Sequence, residues 1–238
     1  MPRPPLPLLL TTVALVLAGC GDSRDAAVVD EPPAAQPTVS TATAEPAAPA
    51  PDTGSCSTKA EETGGKELPC PTASLVEGKA NVVTFKTSEG SFDIALDVEG
   101  APETANSFAY LVSKKFYDGL TFHRVVPDFV IQGGDPLGDT EQAGTGGPGF
   151  QVVEAPPAGV KYTRGVVAMA KGGADAPGAS GSQFFVVSAA DVGLPADYAL
   201  VGKVSKGLAT VDKITALGEG DGPPSKKVTI TSATLAGR

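Results

Sequence analysis

The sequence predicts a mainly β fold: a closed, eight-stranded barrel with two helices covering its ends. Three observations lead there. Short strand-like runs recur along the second two thirds of the chain, divided by glycine-rich loops. Only two stretches carry helical spacing, and they lie far apart. Neither alternates regularly with the strands, as a parallel α/β sheet requires.

Each element has a local reason. Val82-Val83-Thr84-Phe85-Lys86-Thr87 is β-branched, and Ser91-Phe92-Asp93-Ile94-Ala95-Leu96-Asp97 alternates polar with apolar. The Ser88-Glu89-Gly90 turn between them predicts a hairpin. Pro102 suits the first turn of a helix, where its missing N–H costs nothing. Ala105, Phe108, Leu111 and Val112 form that helix's apolar stripe, and Asp118-Gly119 ends the unit. Further strands are expected at Phe122–Val126, Phe129–Gln132, Gly165–Ala170, Gln183–Ser188 and Ala199–Val204. The second helix is expected over Leu208–Leu217, and Val228–Leu235 closes as the last strand.

The folded domain is placed at 79–236. Residues 21–78 are rich in Ala, Pro, Thr, Ser and Glu, without helical or strand period, and read as a disordered tether. A coil of about 60 residues spans roughly 45 Å. Residues 1–20 read as an export signal: a basic start at Arg3, an apolar core over Leu6–Ala18, and then Gly19-Cys20. Leu17-Ala18-Gly19-Cys20 resembles the bacterial lipobox, which implies lipidation of Cys20. The expected location is the extracytoplasmic side of the cell membrane, held by the lipid anchor. Of three cysteines, Cys56 and Cys70 then remain, and a disulfide between them is expected. Closing such a loop stabilises by about 3 kcal/mol on an entropic estimate. Their spacing matches neither a C-x-x-C motif nor a zinc site.

Charge and composition exclude several classes. A net charge of −9 without a basic run argues against nucleic-acid binding. A single histidine rules out a His-rich metal site. A Ser-His-Asp hydrolase would have to use His123, and Gly178-Ala179-Ser180-Gly181-Ser182 fails the G-x-S-x-G pattern. Gly144-Thr145-Gly146-Gly147 lacks the Lys-Ser/Thr that follows a P-loop.

The most distinctive segment is Phe122-His123-Arg124-Val125-Val126-Pro127-Asp128-Phe129-Val130-Ile131-Gln132-Gly133-Gly134-Asp135. It resembles the signature of the cyclophilins. Gly144–Gly147, Met169-Ala170, Gly181-Ser182-Gln183-Phe184-Phe185 and Gly202-Lys203-Val204 resemble that family's later segments, in order, so the likeness covers about Asn81 to Leu235. It implies a peptidyl-prolyl cis/trans isomerase that acts on proline-containing unfolded or exported polypeptides, without cofactor or metal. A monomer is expected. The alternative is a non-catalytic module or chaperone that holds proline segments in the same groove.

Rotation about an X–Pro bond faces a barrier of about 18–20 kcal/mol from amide resonance. No bond breaks, so no nucleophile is needed. In the twisted amide the nitrogen regains a lone pair, and a donor aimed at it binds the transition state better than either ground state. By the resemblance, Arg124 is that donor, and Phe129, Val130, Phe185 and Leu194 line the proline pocket. Gln132 and Gln183 bind substrate or orient the arginine. Gly144, Ala170 and Lys171 line the groove, Lys171 through its backbone; many members carry Asn at Lys171. Tyr198 stands where many have histidine, and Gly193 where eukaryotic members often carry tryptophan. Strand alternation adds a prediction of its own: Gln183 and Phe185 share one face, and Phe184 packs into the barrel. By the same rule His123 points away from Arg124 and is structural.

Overall fold

The computed structural model describes residues 56–60, 63–75 and 81–236. The export signal, Cys20 and most of the tether lie outside the described residues.

The first hairpin forms as expected. β2 (Val82–Thr87) and β3 (Gly90–Leu96) pair antiparallel from Val82↔Ala95 to Thr87↔Gly90. Helix α1 (Pro102–Ser113) follows, with Pro102 in its first turn. Ala101 makes no side-chain cap. Instead the Glu154 carboxylate accepts the Glu103 and Thr104 N–H groups at 3.2 and 2.8 Å. A remote anion thus satisfies donors that the helix cannot.

Then come β4 (Arg124–Val126), β5 (Val130–Gly133), β7 (Val166–Met169), β9 (Phe184–Val187) and β10 (Leu200–Lys206). Helix α2 (Leu208–Thr215) and β11 (Ile230–Ala236) complete the chain. The eight-stranded sheet has the order β11-β2-β3-β10-β7-β9-β5-β4, with every pair antiparallel. It curls strongly. At Gly202 the register of β10 shifts, φ is +149°, and a Cβ would run into the Ala95 carbonyl. Only glycine permits that bend.

The barrel is less closed than expected. No strand ladder joins β11 to β4. The gap is spanned by irregular chain: a Thr121↔Thr229 bridge and the bonds Phe122 N–H to Val228 O and Val125 N–H to Gly222 O. The physical reason is that β4 is only three residues long. Its neighbour across the gap is a glycine- and proline-rich loop, Gly218–Pro224, which cannot donate a regular ladder.

The tether also ends earlier than composition suggested. β1 (Cys56–Thr58) pairs with β6 (Phe150–Val153), and β6 pairs with β8 (Ala179–Ser180), making a second, three-stranded sheet. Residues 63–75 return across the domain, with Leu68 N–H donating to Pro148 O and Lys66 Nζ to Phe116 O. Cys56 and Cys70 are joined by a disulfide with Cα atoms 6.0 Å apart. This arm buries few apolar groups. Backbone pairing and a covalent staple hold it; the staple was expected from the cysteine count, the backbone pairing was not.

The two faces of the eight-stranded sheet carry different clusters. Inside lie Phe85, Phe92, Phe108, Phe122, Ile131 and Phe184, with the rest of the main core. Outside, Val130, Tyr162, Ala168, Phe185 and Val187 form a smaller cluster. Alternation therefore splits Phe184 from Phe185 as expected, and splits Ile131 from Val130 in the same way.

Candidate active site

The outer cluster is one wall of a groove. The register sets a row of residues across four strands: Arg124 opposite Gln132, Gln132 opposite Phe185, and Phe185 opposite Ala168. Directly opposed residues in a sheet share a face. A cation, an amide and an aromatic ring thereby line up on the outside of the barrel.

The β4–β5 turn places the next ring. Pro127 presets φ at the second turn position, and Asp128 takes φ +53°, which short polar side chains tolerate. Phe129 N–H closes on Val126 O at 3.2 Å. Phe129 is carried back over the row, with the Arg124 guanidinium carbon 5.8 Å from its ring centre.

Arg124, Phe129, Val130, Gln132, Ala170, Lys171, Phe185, Leu194 and Tyr198 line one cavity of about 270 Å³. That suits a small ring and its flank rather than a large ligand. Tyr198 stands edge-on to Phe185, with centroids 5.5 Å apart. Buried Tyr162 fixes it: the Tyr162 hydroxyl donates to Tyr198 O at 2.6 Å and accepts from Tyr198 N–H at 3.0 Å. Lys171, expected to act through its backbone, brings its side chain to the site. Its ammonium is buried, pairs with Asp197 at 2.9 Å and lies 5.9 Å from the Tyr198 ring centre.

The arginine is held on three nitrogens. Nε and Nη2 donate to the Asp221 carboxylate at 2.5 and 2.9 Å, and Nη1 donates to Gln132 Oε1 at 3.2 Å. The Asp221 carboxylate raises the Arg124 pKa further, and Arg124 in turn holds the Asp221 carboxyl below its usual range. One N–H on each terminal nitrogen remains after these bonds. Gln132 Nε2 donates to Gln183 Oε1 at 3.1 Å, and Gln183 Nε2 to Gly146 O at 2.9 Å. The amides thus form a relay that ties the arginine to the glycine-rich loop. That loop is fixed from behind by Asp135, whose carboxylate accepts from Gly144 and Leu137 N–H. A Cβ at Gly146 would run into the same carboxylate.

His123 takes no part in the groove. It is buried beside Gly138, and neither ring nitrogen has a partner among the described residues. Burial pushes its pKa below the usual imidazole value; Asp135 opposes that shift, and Arg124 adds to it.

Every groove residue expected from the sequence is thus in the groove or on its relay, with Gly144 on the adjoining rim. Sequence reasoning missed Asp221 and Tyr162. Gly218–Pro224 holds two acids, Glu219 and Asp221, and nothing local marks Asp221 as the arginine's partner, whereas Tyr162 is simply distant in sequence from the residue it supports.

An apolar slot beside an immobilised cation has room for a small apolar ring and sets a fixed positive charge next to it. Residues 82–235 match the family model of the cyclophilin type peptidyl-prolyl cis-trans isomerase/CLD. The chain belongs to that family. It is 34% identical over 155 residues to peptidyl-prolyl cis-trans isomerase-like 1 of Gibberella zeae, covering 64% of this chain and 93% of that one. It is 38% identical over 173 residues to the probable peptidyl-prolyl cis-trans isomerase B of Mycobacterium tuberculosis, covering 64% of this chain and 54% of that one. A crystal structure of a Cryptosporidium parvum cyclophilin type isomerase superposes with a TM-score of 0.60 at 26% identity, covering 67% of this chain and 99% of that one. The same protein studied in the presence of the dipeptide Ala-Pro gives 0.58 at 25% identity, covering 66% and 99%.

Proposed function

We propose that this isomerase turns X–Pro bonds in exported polypeptides at the outer face of the cytoplasmic membrane, as a lipid-anchored monomer. The observation that carries the catalytic part is the row Arg124–Gln132–Phe185, with Arg124 fixed by Asp221. The proline ring enters the cavity against Phe129 and Phe185. The free N–H groups of Arg124 meet the prolyl nitrogen as it loses conjugation, and stabilise its emerging lone pair. The donor is preorganised, so little reorientation is needed at the transition state. A pure binding module has no use for such a fixed donor, which favours the enzyme over a holding role.

Two features support the location. The Leu17-Ala18-Gly19-Cys20 run resembles a lipobox. The Cys56–Cys70 disulfide suits an oxidising compartment. Expression of the full chain in a bacterium fed labelled palmitate tests the anchor. Label is expected on the wild type and absent from Cys20→Ala. An unlabelled wild type would remove the anchor from the proposal and leave the isomerase intact.

A further inference from the structure

The groove continues into a second cavity of about 350 Å³, which shares Gln132, Ala170 and Lys171 with the first. Its far wall comes from the arm, outside the segment that matches the family. Lys59 and Ala60 line it, opposite Gly172 and Asp175. We propose that Lys59 is a specificity-determining residue of the isomerase, selecting substrates with an acidic side chain near the proline. This rests on the isomerase reading of the adjoining groove.

The position of Lys59 is built, not incidental. β1 ends one residue before it, in register with β6 through Thr58↔Phe150. Lys59 N–H then donates to Gly149 O at 3.0 Å. The disulfide at Cys56 ties the start of the strand to the returning arm. β6 is joined through β8 to Ala179 and Ser180, which line the same cavity. The backbone that aims Lys59 is therefore continuous with the cavity wall.

The sign of the preference follows from spare hydrogen-bonding capacity. Among the described residues, three charged side chains line this cavity: Lys59, Lys171 and Asp175. Lys171 is committed, since its side chain is 7% exposed and its ammonium pairs with Asp197 and donates to Asp175 O at 3.1 Å. Asp175 is the more committed partner: its Oδ2 accepts from both Lys59 Nζ at 3.0 Å and Gly172 N–H at 2.9 Å, Gln151 adds a side-chain hydrogen bond to the same carboxylate, and its side chain is 22% exposed. Lys59 is only partly covered, at 33% exposure, and spends one of its three donors on Asp175. What remains to offer a ligand is positive. A substrate carboxylate can share the ammonium with Asp175, while a substrate lysine meets an acceptor already occupied.

The test uses the purified full chain in detergent and proline peptides with Glu, Ala or Lys placed two or three residues to either side of the proline. For the wild type, Glu at one of these positions should exceed Ala by about fivefold in kcat/KM, through KM with kcat unchanged, the size of a partly exposed ion pair. Lys59→Gln should lose that preference, Lys59→Arg should keep it, and the Ala peptide should react equally with all three proteins. An unchanged Glu preference in Lys59→Gln, or an equal loss on every peptide, overturns the proposal. The second result would make the arm merely structural. If the wild type turns over no peptide at all, the isomerase reading fails instead. Affinities of the Glu and Ala peptides, read from amide shifts, then judge Lys59 by the same ratio.

Discussion

Two arginines in this molecule make nearly the same ion pair and sit in different company. Arg124 donates to both oxygens of Asp221 through Nε and Nη2. Arg164 donates to both oxygens of Asp212 from Nη2 alone, at 2.6 and 2.8 Å, and to Ser188 O from Nη1 at 2.7 Å. Both are about a third or more exposed, 32% and 41%. Arg124 ties β4 to the Gly218–Pro224 loop, and Arg164 ties the turn before β7 to helix α2. Yet Arg124 stands beside Phe129 and an apolar slot, whereas Arg164 lines neither cavity described above. The ion pair alone therefore says nothing about chemistry. What distinguishes Arg124 is that it lines the apolar slot, where the strand register sets it opposite Gln132.

The largest break in this comparison is Arg124→Ala. The pocket remains, so peptide binding should persist, while kcat/KM falls by about a hundred- to a thousandfold, as when one transition-state donor is removed. A coupled isomerase assay with a circular dichroism check reads it. A folded variant with wild-type turnover would take Arg124 out of the mechanism.

Asp221→Ala should have a smaller effect. The Asp221 side chain is 64% exposed, so the pair's direct contribution is heavily screened. In the proposed mechanism it fixes the guanidinium plane so that the free N–H groups face the slot. Losing that restraint should lower kcat by about fivefold, equivalent to roughly 1 kcal/mol, with KM little changed. Asp221→Asn, which keeps one acceptor, should fall between. If KM rises and kcat holds, Asp221 shapes the groove and does not position the arginine.

The two regions were unequally legible in the sequence. Around Arg124, alternation alone placed Gln183 and Phe185 on one face and Phe184 on the other, and the signature segment supplied Phe129, Val130 and Gln132. These signals are local, because a strand's faces follow from its own residues. Asp221 was not legible, since its partner lies nearly a hundred positions away and the pairing follows from how the sheet closes. The second sheet was not predicted at all. Phe150-Gln151-Val152-Val153 places Phe150 and Val152 in the core and leaves Gln151 half-buried and Val153 exposed, a period of two that a short run between glycine loops conceals. The arm from Cys56 was hidden by composition. Its order comes from a disulfide and borrowed backbone partners, so its polar, proline-containing sequence looks like the tether before it.

The smallest expected effect is the control that gives the comparison its force. Arg164→Ala removes a bidentate pair as complete as that of Arg124, but no ligand atom lies within its reach in the proposed mechanism. Asp212 is half exposed and water can replace the lost donors, so the cost should stay within about 1 kcal/mol. Ser188 O loses its Arg164 donor, which keeps the cost above zero. For a domain of this size that is a fall in Tm of about 2–4 °C. Turnover of proline peptides at 25 °C should match the wild type, because the row from Arg124 to Ala168 and the Tyr162–Tyr198 support are untouched. The informative measurement sets Arg164→Ala beside Asp221→Ala in one assay at equal fraction folded. If both lose turnover by the same factor, the Asp221 effect is a general loosening of the sheet. If only Asp221→Ala does, the orientation of one guanidinium is what the ion pair contributes to catalysis.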